Sequence, residues 1–191
     1  RGLGDVYKRQ ASSRRAAQQA LMVTALGGLS MLMGIILLGR QTGAWTFSEI
    51  AAYEDFAQTP YVTVAIVLIL VGALTKSAIV PAHFWLPGAM AAPTPVSAYL
   101  HSAAMVKAGI YLVARLAPSM YEVATWHVVV ISLGVFTMLL GGWMALKQRD
   151  LKLVLAYGTV SQLGFITSIA AVGSREAMQA GLALTLSLIH I

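Results

Sequence analysis

The sequence predicts an all-α, polytopic transmembrane bundle of about five to six spans, one of them discontinuous. Three observations carry that prediction. Of 191 residues, 58% are hydrophobic and only 10% charged, against about 25% charged in a soluble domain. The apolar residues fall in runs that approach or exceed the roughly 20 residues a helix needs to cross a bilayer. One run, Tyr61 to about Met90, is too long for a single straight crossing and contains Pro81. No run alternates with period two over strand length, which argues against a transmembrane barrel.

Taken in order, the spans are Leu21–Leu38, Tyr61 to about Met90, Val96–Leu116, Trp126–Leu146 and Leu151–Val172. A sixth begins near Met178. The ends read differently. RGLGDVYKRQ has neither an apolar targeting core nor periodicity, and it resembles translated sequencing-adapter sequence, as does the terminal SLIHI. Residues 1–10 and about 187–191 are therefore expected to be scars, with residues 11–186 as a partial transmembrane domain internal to a longer protein. The formal net charge is +6. Setting aside Arg1, Asp5, Lys8 and Arg9 removes a net +2 and leaves +4. In a membrane protein this excess speaks to topology rather than to nucleic acid, which is not expected as a partner.

The link from Arg40 to Pro60 is the longest and is acidic, with Glu49, Glu54 and Asp55. Within it, TFSE places Thr46 three residues before Glu49, the signature of a capping box opening a short interfacial helix. Asp150 is the expected N-cap of the fifth span. Arg14 and Arg15 precede the first span, and Lys147, Arg149 and Lys152 lie between the fourth and fifth. With five spans both clusters fall on one side and the acidic link on the other, which puts the basic ends in the cytoplasm. Trp85, Trp126 and Trp143 sit near span ends or breaks and read as an interfacial aromatic belt. His83 and His127 read as interfacial too.

Two lysines break the apolar pattern. Lys76 lies fifteen residues into the second span, about 22 Å of helix rise, too deep for an ordinary flanking charge. A charge at the centre of a spanning helix costs about 2.5–3.5 kcal/mol on insertion scales. Its long stem could carry the ammonium to the surface, but Lys107 repeats the pattern near the middle of the third span. His101 lies six residues before Lys107, about 120° around the helix and about 9 Å along it. The two cannot touch, although water or a polar side chain could join them. No Asp or Glu occurs in any of these spans. An isolated buried ammonium gives up its proton more readily than one in water. Lys76 and Lys107 are thus either neutral part of the time or paired outside this stretch; static pairing of helices is the competing reading.

Pro81 cannot donate to the helix ladder and displaces the carbonyl four residues back, at Ser77. With the excess length, this predicts a first half-helix ending near Ala78, a break, and a short second half through Phe84–Leu86. Broken helices at mid-depth leave backbone groups for water or an ion. APTPV, Ala92 to Val96, reads as a tight turn with Pro95 opening the third span. In the fifth span, Tyr157, Thr159, Ser161 and Gln162 read first as interhelical hydrogen bonds, with a polar path through Ser161 and Gln162 as the alternative. There is no cysteine, no phosphate-cradling glycine loop, no catalytic serine or carboxylate pair and no HExxH spacing, so neither a cofactor nor a metal is expected.

TKSAIVPAHFWLPGAMAAPTPVSAYLHSAAMVKAGIYLVARL, Thr75 to Leu116, together with LKQRDLKLVLAYGTVSQLGF, Leu146 to Phe165, resembles the proton-translocating antiporter-like subunits. These occur in Mrp-type multisubunit Na⁺/H⁺ antiporters and in respiratory complex I. GGLSML and the lysine at 107 are most similar to the A subunit of the Mrp type, over about residues 12–186. The resemblance implies two inverted repeats of five helices, each with a broken helix carrying a lysine before its break. It matches Lys76 to the proton-switching lysine, Pro81 to the break, and His101 and Lys107 to the relay of the next helix. It also implies a glutamate partner for Lys76 on a preceding helix that this chain lacks. AIVPAHFW departs from the family's glutamine-containing wording after the lysine. A component of a secondary transporter is therefore expected rather than an enzyme. It would lie in the inner membrane of a bacterium or archaeon and work with other membrane subunits, exchanging protons and Na⁺. Without the second repeat it is not expected to transport alone. The other readings are a proton-pumping subunit of a redox complex and a purely structural membrane subunit.

Overall fold

A computed structural model describes residues 3–53, 56, 61–93, 106–120 and 123–187, with backbone alone for residues 3–12, 51 and 175. All regular structure among them is helical. The helices are α1 (Leu3–Thr42), α2 (Phe47–Ala52), α3 (Val62–Lys76), α4 (Trp85–Gly88), α5 (Lys107–Leu116), α6 (Ala124–Leu146), α7 (Leu151–Ala171) and α8 (Arg175–Ser187), with 3₁₀ turns on either side of α4. Three stretches are long and apolar enough to cross a membrane: Ser13–Thr42, Ala124–Leu146 and Leu151–Ala171. They correspond to the first, fourth and fifth predicted spans.

Local signals set the ends of these helices. Thr46 and Glu49 close the predicted capping box: the Thr46 hydroxyl accepts from Glu49 N–H, and the Glu49 carboxylate accepts from Thr46 N–H at 3.0 Å and Trp45 N–H at 2.7 Å. Those backbone donors hold the Glu49 carboxyl below its ordinary range, because they stabilise the charged form. Asp150 caps α7, accepting from Lys152 N–H at 2.9 Å.

α1 pairs with α3 and α6 with α7, each pair antiparallel, while α5 lies against α3 and α7 and α8 against α7. Glycines set the closest approaches. A Cβ on Gly164 would lie 2.6 Å from Met138 N and 2.7 Å from Gly134 O, so α6 and α7 touch backbone to backbone. The Ser161 hydroxyl donates across this contact to Met138 O at 2.8 Å, the interhelical bond expected of it.

α3 is apolar but only 15 residues long, about 22 Å against a hydrocarbon thickness of about 30 Å. The chain continues beyond the break, where α4 lies against α1 and α7. Gly88 packs near Ala16, toward the N-terminal part of α1. The discontinuous helix is thus present, ending at Lys76 with Ser77 as its cap rather than near Ala78. The second half is one α turn between two 3₁₀ turns, slightly later than predicted. The APTPV turn beyond Pro93, Pro95 and the third span up to residue 105 lie outside the described residues, as does His101.

The tryptophan belt needs correction. Trp143 is exposed and carries Lys147 Nζ 4.8 Å over its ring, as an interfacial residue does. Trp85 and Trp126 are 3% and 1% exposed. The break folds Trp85 back into the bundle. Trp126 joins the core with Leu116, Met120 and Val123 of the preceding turn. Distance from a span end does not distinguish a ring at the interface from one tucked beneath a turn.

Candidate functional site: the break in α3 and its crossing with α5

The end of α3 is built as a Schellman motif. Ile79 N–H donates to Leu74 O at 2.9 Å and Ala78 N–H to Thr75 O at 3.4 Å. This is the 6→1 and 5→2 pair that closes a helix when the intervening residue turns left-handed. That residue is Ala78, with φ +52°, a conformation that costs a non-glycine about 1–2 kcal/mol. Ala78 and Ile79 are fully buried, so packing and the two bonds offset the cost. Trp85 Nε1–H adds a bond to Thr75 O at 2.9 Å. The expectation that the break leaves its carbonyls free therefore fails for Ala73, Leu74 and Thr75, each of which accepts a bond.

A residue on another helix fixes the far side of the break. Val80 N–H donates to Thr137 Oγ1 of α6 at 3.0 Å, and the same hydroxyl donates to Leu133 O at 2.6 Å. Thr137 is fully buried. In the sequence it is a lone threonine in GVFTMLL, and nothing local pairs it with a residue 57 positions earlier. Thr137→Val keeps the shape and removes the acceptor. We expect it to lower the stability of the assembled protein by about 1–3 kcal/mol, the cost of leaving a buried N–H unmade. Thr137→Ser should retain most of it. Thermal unfolding in detergent measures this, and an unchanged midpoint for Thr137→Val would remove the hydroxyl from the break.

The packing sets the depth of Lys76. The neighbouring Thr75 side chain lies directly against the backbone of Gly27, where no Cβ would fit. Gly27 stands in the middle of the apolar stretch Ser13–Thr42, about 21 Å from either end at 1.5 Å per residue. Lys76, half-buried, is therefore level with the middle of that stretch. α5 crosses α3 at the same level. A Cβ on Gly109 would collide with Ala73 O and Ser77 Oγ. Lys107 is two residues from Gly109, about 3 Å along the axis. It is 8% exposed and donates from Nζ to Thr185 O of α8 at 3.2 Å. It lines a cavity of about 410 Å³ between α5, α7 and α8, whose walls are mostly apolar, with Ile110, Ile166 and Leu182 beside Tyr111 and Thr185.

The structure thus brings Lys76 and Lys107 to one level, on helices in direct contact, with Pro81 five residues beyond Lys76 and exposed. It does not bring Ser161 and Gln162 there. Ser161 is spent on Met138 O, and Gln162 is exposed on the far side of α7. His83 lies inside the break, in its 3₁₀ turn, with Nδ1 buried and unpartnered among the described residues.

The NADH:quinone oxidoreductase/Mrp antiporter transmembrane family matches residues 2–191. The chain belongs to that family. It is 49% identical over 179 residues to the A subunit of the Na(+)/H(+) antiporter of Bacillus subtilis (strain 168), covering 90% of this chain and 22% of the relative. It is 47% identical over 169 residues to the A/B subunit of a probable K(+)/H(+) antiporter of Rhizobium meliloti (strain 1021), covering 88% and 17%. Among solved structures it is similar to the Mrp complex from Dietzia sp. DQ12-45-1b. There the TM-score is 0.86 and the identity 43%, over 91% of this chain and 19% of that one. The membrane-bound sulfane sulfur reductase, an archaeal respiratory membrane complex, gives a TM-score of 0.84 at 27% identity, over 94% and 37%. The chain spans about a fifth of the curated relatives it matches. It is a multi-pass inner-membrane protein similar to the A subunits of Mrp antiporters, from a family of antiporter subunits and complex I-like proton-translocating modules.

Proposed function

We propose that this chain carries the first lysine-based proton path of a multisubunit cation/proton antiporter, coupled to Na⁺ exchange elsewhere in the complex. Lys76 switches its charge at the break, Pro81 holds the break open, and His101 and Lys107 pass the proton on. Other membrane subunits complete the assembly, and the carboxylate partner of Lys76 lies outside this chain. Residues 11–186 form the working stretch, and residues 1–10 and 187–191 have no role in it. The observation that supports this reading is the place of Lys76, the last residue of a helix that breaks there, level with the middle of the apolar stretch Ser13–Thr42.

A second reading, a proton-pumping subunit of a redox complex, is favoured by the similarity to a respiratory membrane complex. It uses the same residues and differs only in what drives the proton.

The test uses the full-length gene and its neighbours in a host lacking its main Na⁺/H⁺ antiporters. In inverted vesicles, NaCl is added to a respiration-driven pH gradient. Collapse in wild type and none in Lys76→Ala, at matched levels of assembled complex, is the expected result. Collapse in both would take Lys76 out of the path. No collapse in either, with the complex shown to be assembled, would favour the redox-driven reading.

A further inference from the structure

α6 and α7 are 23 and 21 residues long, about 35 and 32 Å, close to a hydrocarbon thickness of about 30 Å. The turn that joins them is only Lys147–Asp150, so it is held at the level of the lipid head groups. Lys147, Arg149 and Lys152 bring three positive charges there against one carboxylate, Asp150. That carboxylate is engaged as the cap of α7, accepting from Lys152 N–H at 2.9 Å. Among the described residues none of the three cations makes an ion pair. The next carboxylate along the described chain, Glu176, follows the far end of α7. The cations also border directly on apolar surface. Lys147 Nζ stands 4.8 Å over the ring of Trp143, one turn back along α6, and Trp143 and Leu146 are 63% and 85% exposed. At 100° per residue, Trp143, Leu146 and Lys147 share one face of α6, within about 100° of one another.

We propose that the α6–α7 turn is a binding site for an anionic phospholipid, its phosphodiester held by Lys147 and Arg149 and its acyl chains lying against Trp143 and Leu146. The two halves of the site call for the two halves of one ligand. An ammonium and a guanidinium both donate to phosphate oxygens, the guanidinium through two parallel N–H groups. The exposed ring and leucine directly below them take hydrocarbon, which a free phosphate does not bring. The unbalanced positive charge selects the head group. A zwitterionic lipid carries its own ammonium into a turn that already holds three cations, whereas phosphatidylglycerol carries only the negative phosphodiester. The site is independent of the lysines on α3 and α5.

The test uses the full complex, freed of other reactive cysteines, labelled with a fluorophore through Leu139→Cys and reconstituted in vesicles. Leu139 is 63% exposed, on the same face of α6 and about 12 Å below Lys147, at the depth of the acyl chains. The vesicles mix phosphatidylglycerol and phosphatidylcholine, and one or the other carries brominated chains that quench the label. Phosphatidylglycerol is expected to be preferred at the label by about fivefold or more, roughly fivefold for each basic residue that meets the head group. Lys147→Gln with Arg149→Gln should abolish the preference and leave quenching by phosphatidylcholine unchanged, while Lys147→Arg should keep it. Inorganic phosphate added at matched ionic strength should leave it unchanged. Equal quenching by the two lipids in the complex with both cations intact would overturn the site, whatever the variants do. A preference that survives in the double variant would overturn it as well, assigning the lipid to other residues. Loss of the preference on adding inorganic phosphate would overturn the lipid and leave a site for a free anion.

Discussion

Lys76→Arg is expected to stop proton exchange as completely as Lys76→Ala, while the assembled complex keeps its normal level. The two substitutions remove different things. Alanine removes the charge and the stem. Arginine keeps a positive charge at the same level on a stem of similar length, so any role as a fixed partner for a carboxylate should survive it. What arginine cannot do is give up a proton, since its guanidinium stays charged under all ordinary conditions. A path through Lys76 needs a group that gains and loses charge in place. The measurement is the NaCl-induced collapse of the pH gradient in inverted vesicles, with complex levels followed by blotting. Substantial activity in Lys76→Arg would show that Lys76 serves as a fixed charge, and the structural reading of the lysines would then stand.

How much of this was legible in the sequence depends on the range of each interaction. The Thr46–Glu49 box and the Asp150 cap were readable because both partners lie within three residues. The break was readable from Pro81 and from the excess length of its span, two signals in one stretch. Counting from Tyr61 put Lys76 well inside its apolar run, and the packing of Thr75 on Gly27 sets the neighbouring residue against the middle of Ser13–Thr42. Thr137 was not readable, since its partner lies 57 residues away and a threonine in an apolar helix ordinarily bonds its own backbone. The closing of the carbonyls at the break was missed for a related reason. Proline predicts where a helix stops and does not say whether the chain then turns into a Schellman cap, which here required a buried alanine to go left-handed. Trp85 was misplaced because the aromatic-belt rule assumes straight spans. Gly109 gave no signal at all: a glycine in a helix looks like a weak position until the backbone opposite it is known.

That last residue carries the second large effect. Gly109→Ala adds a single carbon, yet we expect it to separate α5 from α3 and to cost the complex both stability and transport. The new Cβ would sit inside van der Waals contact of Ala73 O, a backbone atom that cannot rotate away, and of Ser77 Oγ. Overpacking of this kind costs about 1–3 kcal/mol. The strain falls on the turn that holds Lys76 on one helix and on the turn after Lys107 on the other. α5 can relieve it only by moving outward or by sliding in register, and either movement breaks the common level of the two lysines. A matched control lies in α7, where a Cβ on Gly158 would meet nothing within 4 Å. Gly158→Ala should leave stability unchanged or raise it by about 0.5–1 kcal/mol, since alanine is the better helix former. Thermal unfolding of the two complexes in detergent, beside vesicle transport, separates the alternatives. If Gly109→Ala is as stable and active as Gly158→Ala, the helices do not meet as closely as described, and the shared level of Lys76 and Lys107 loses its support.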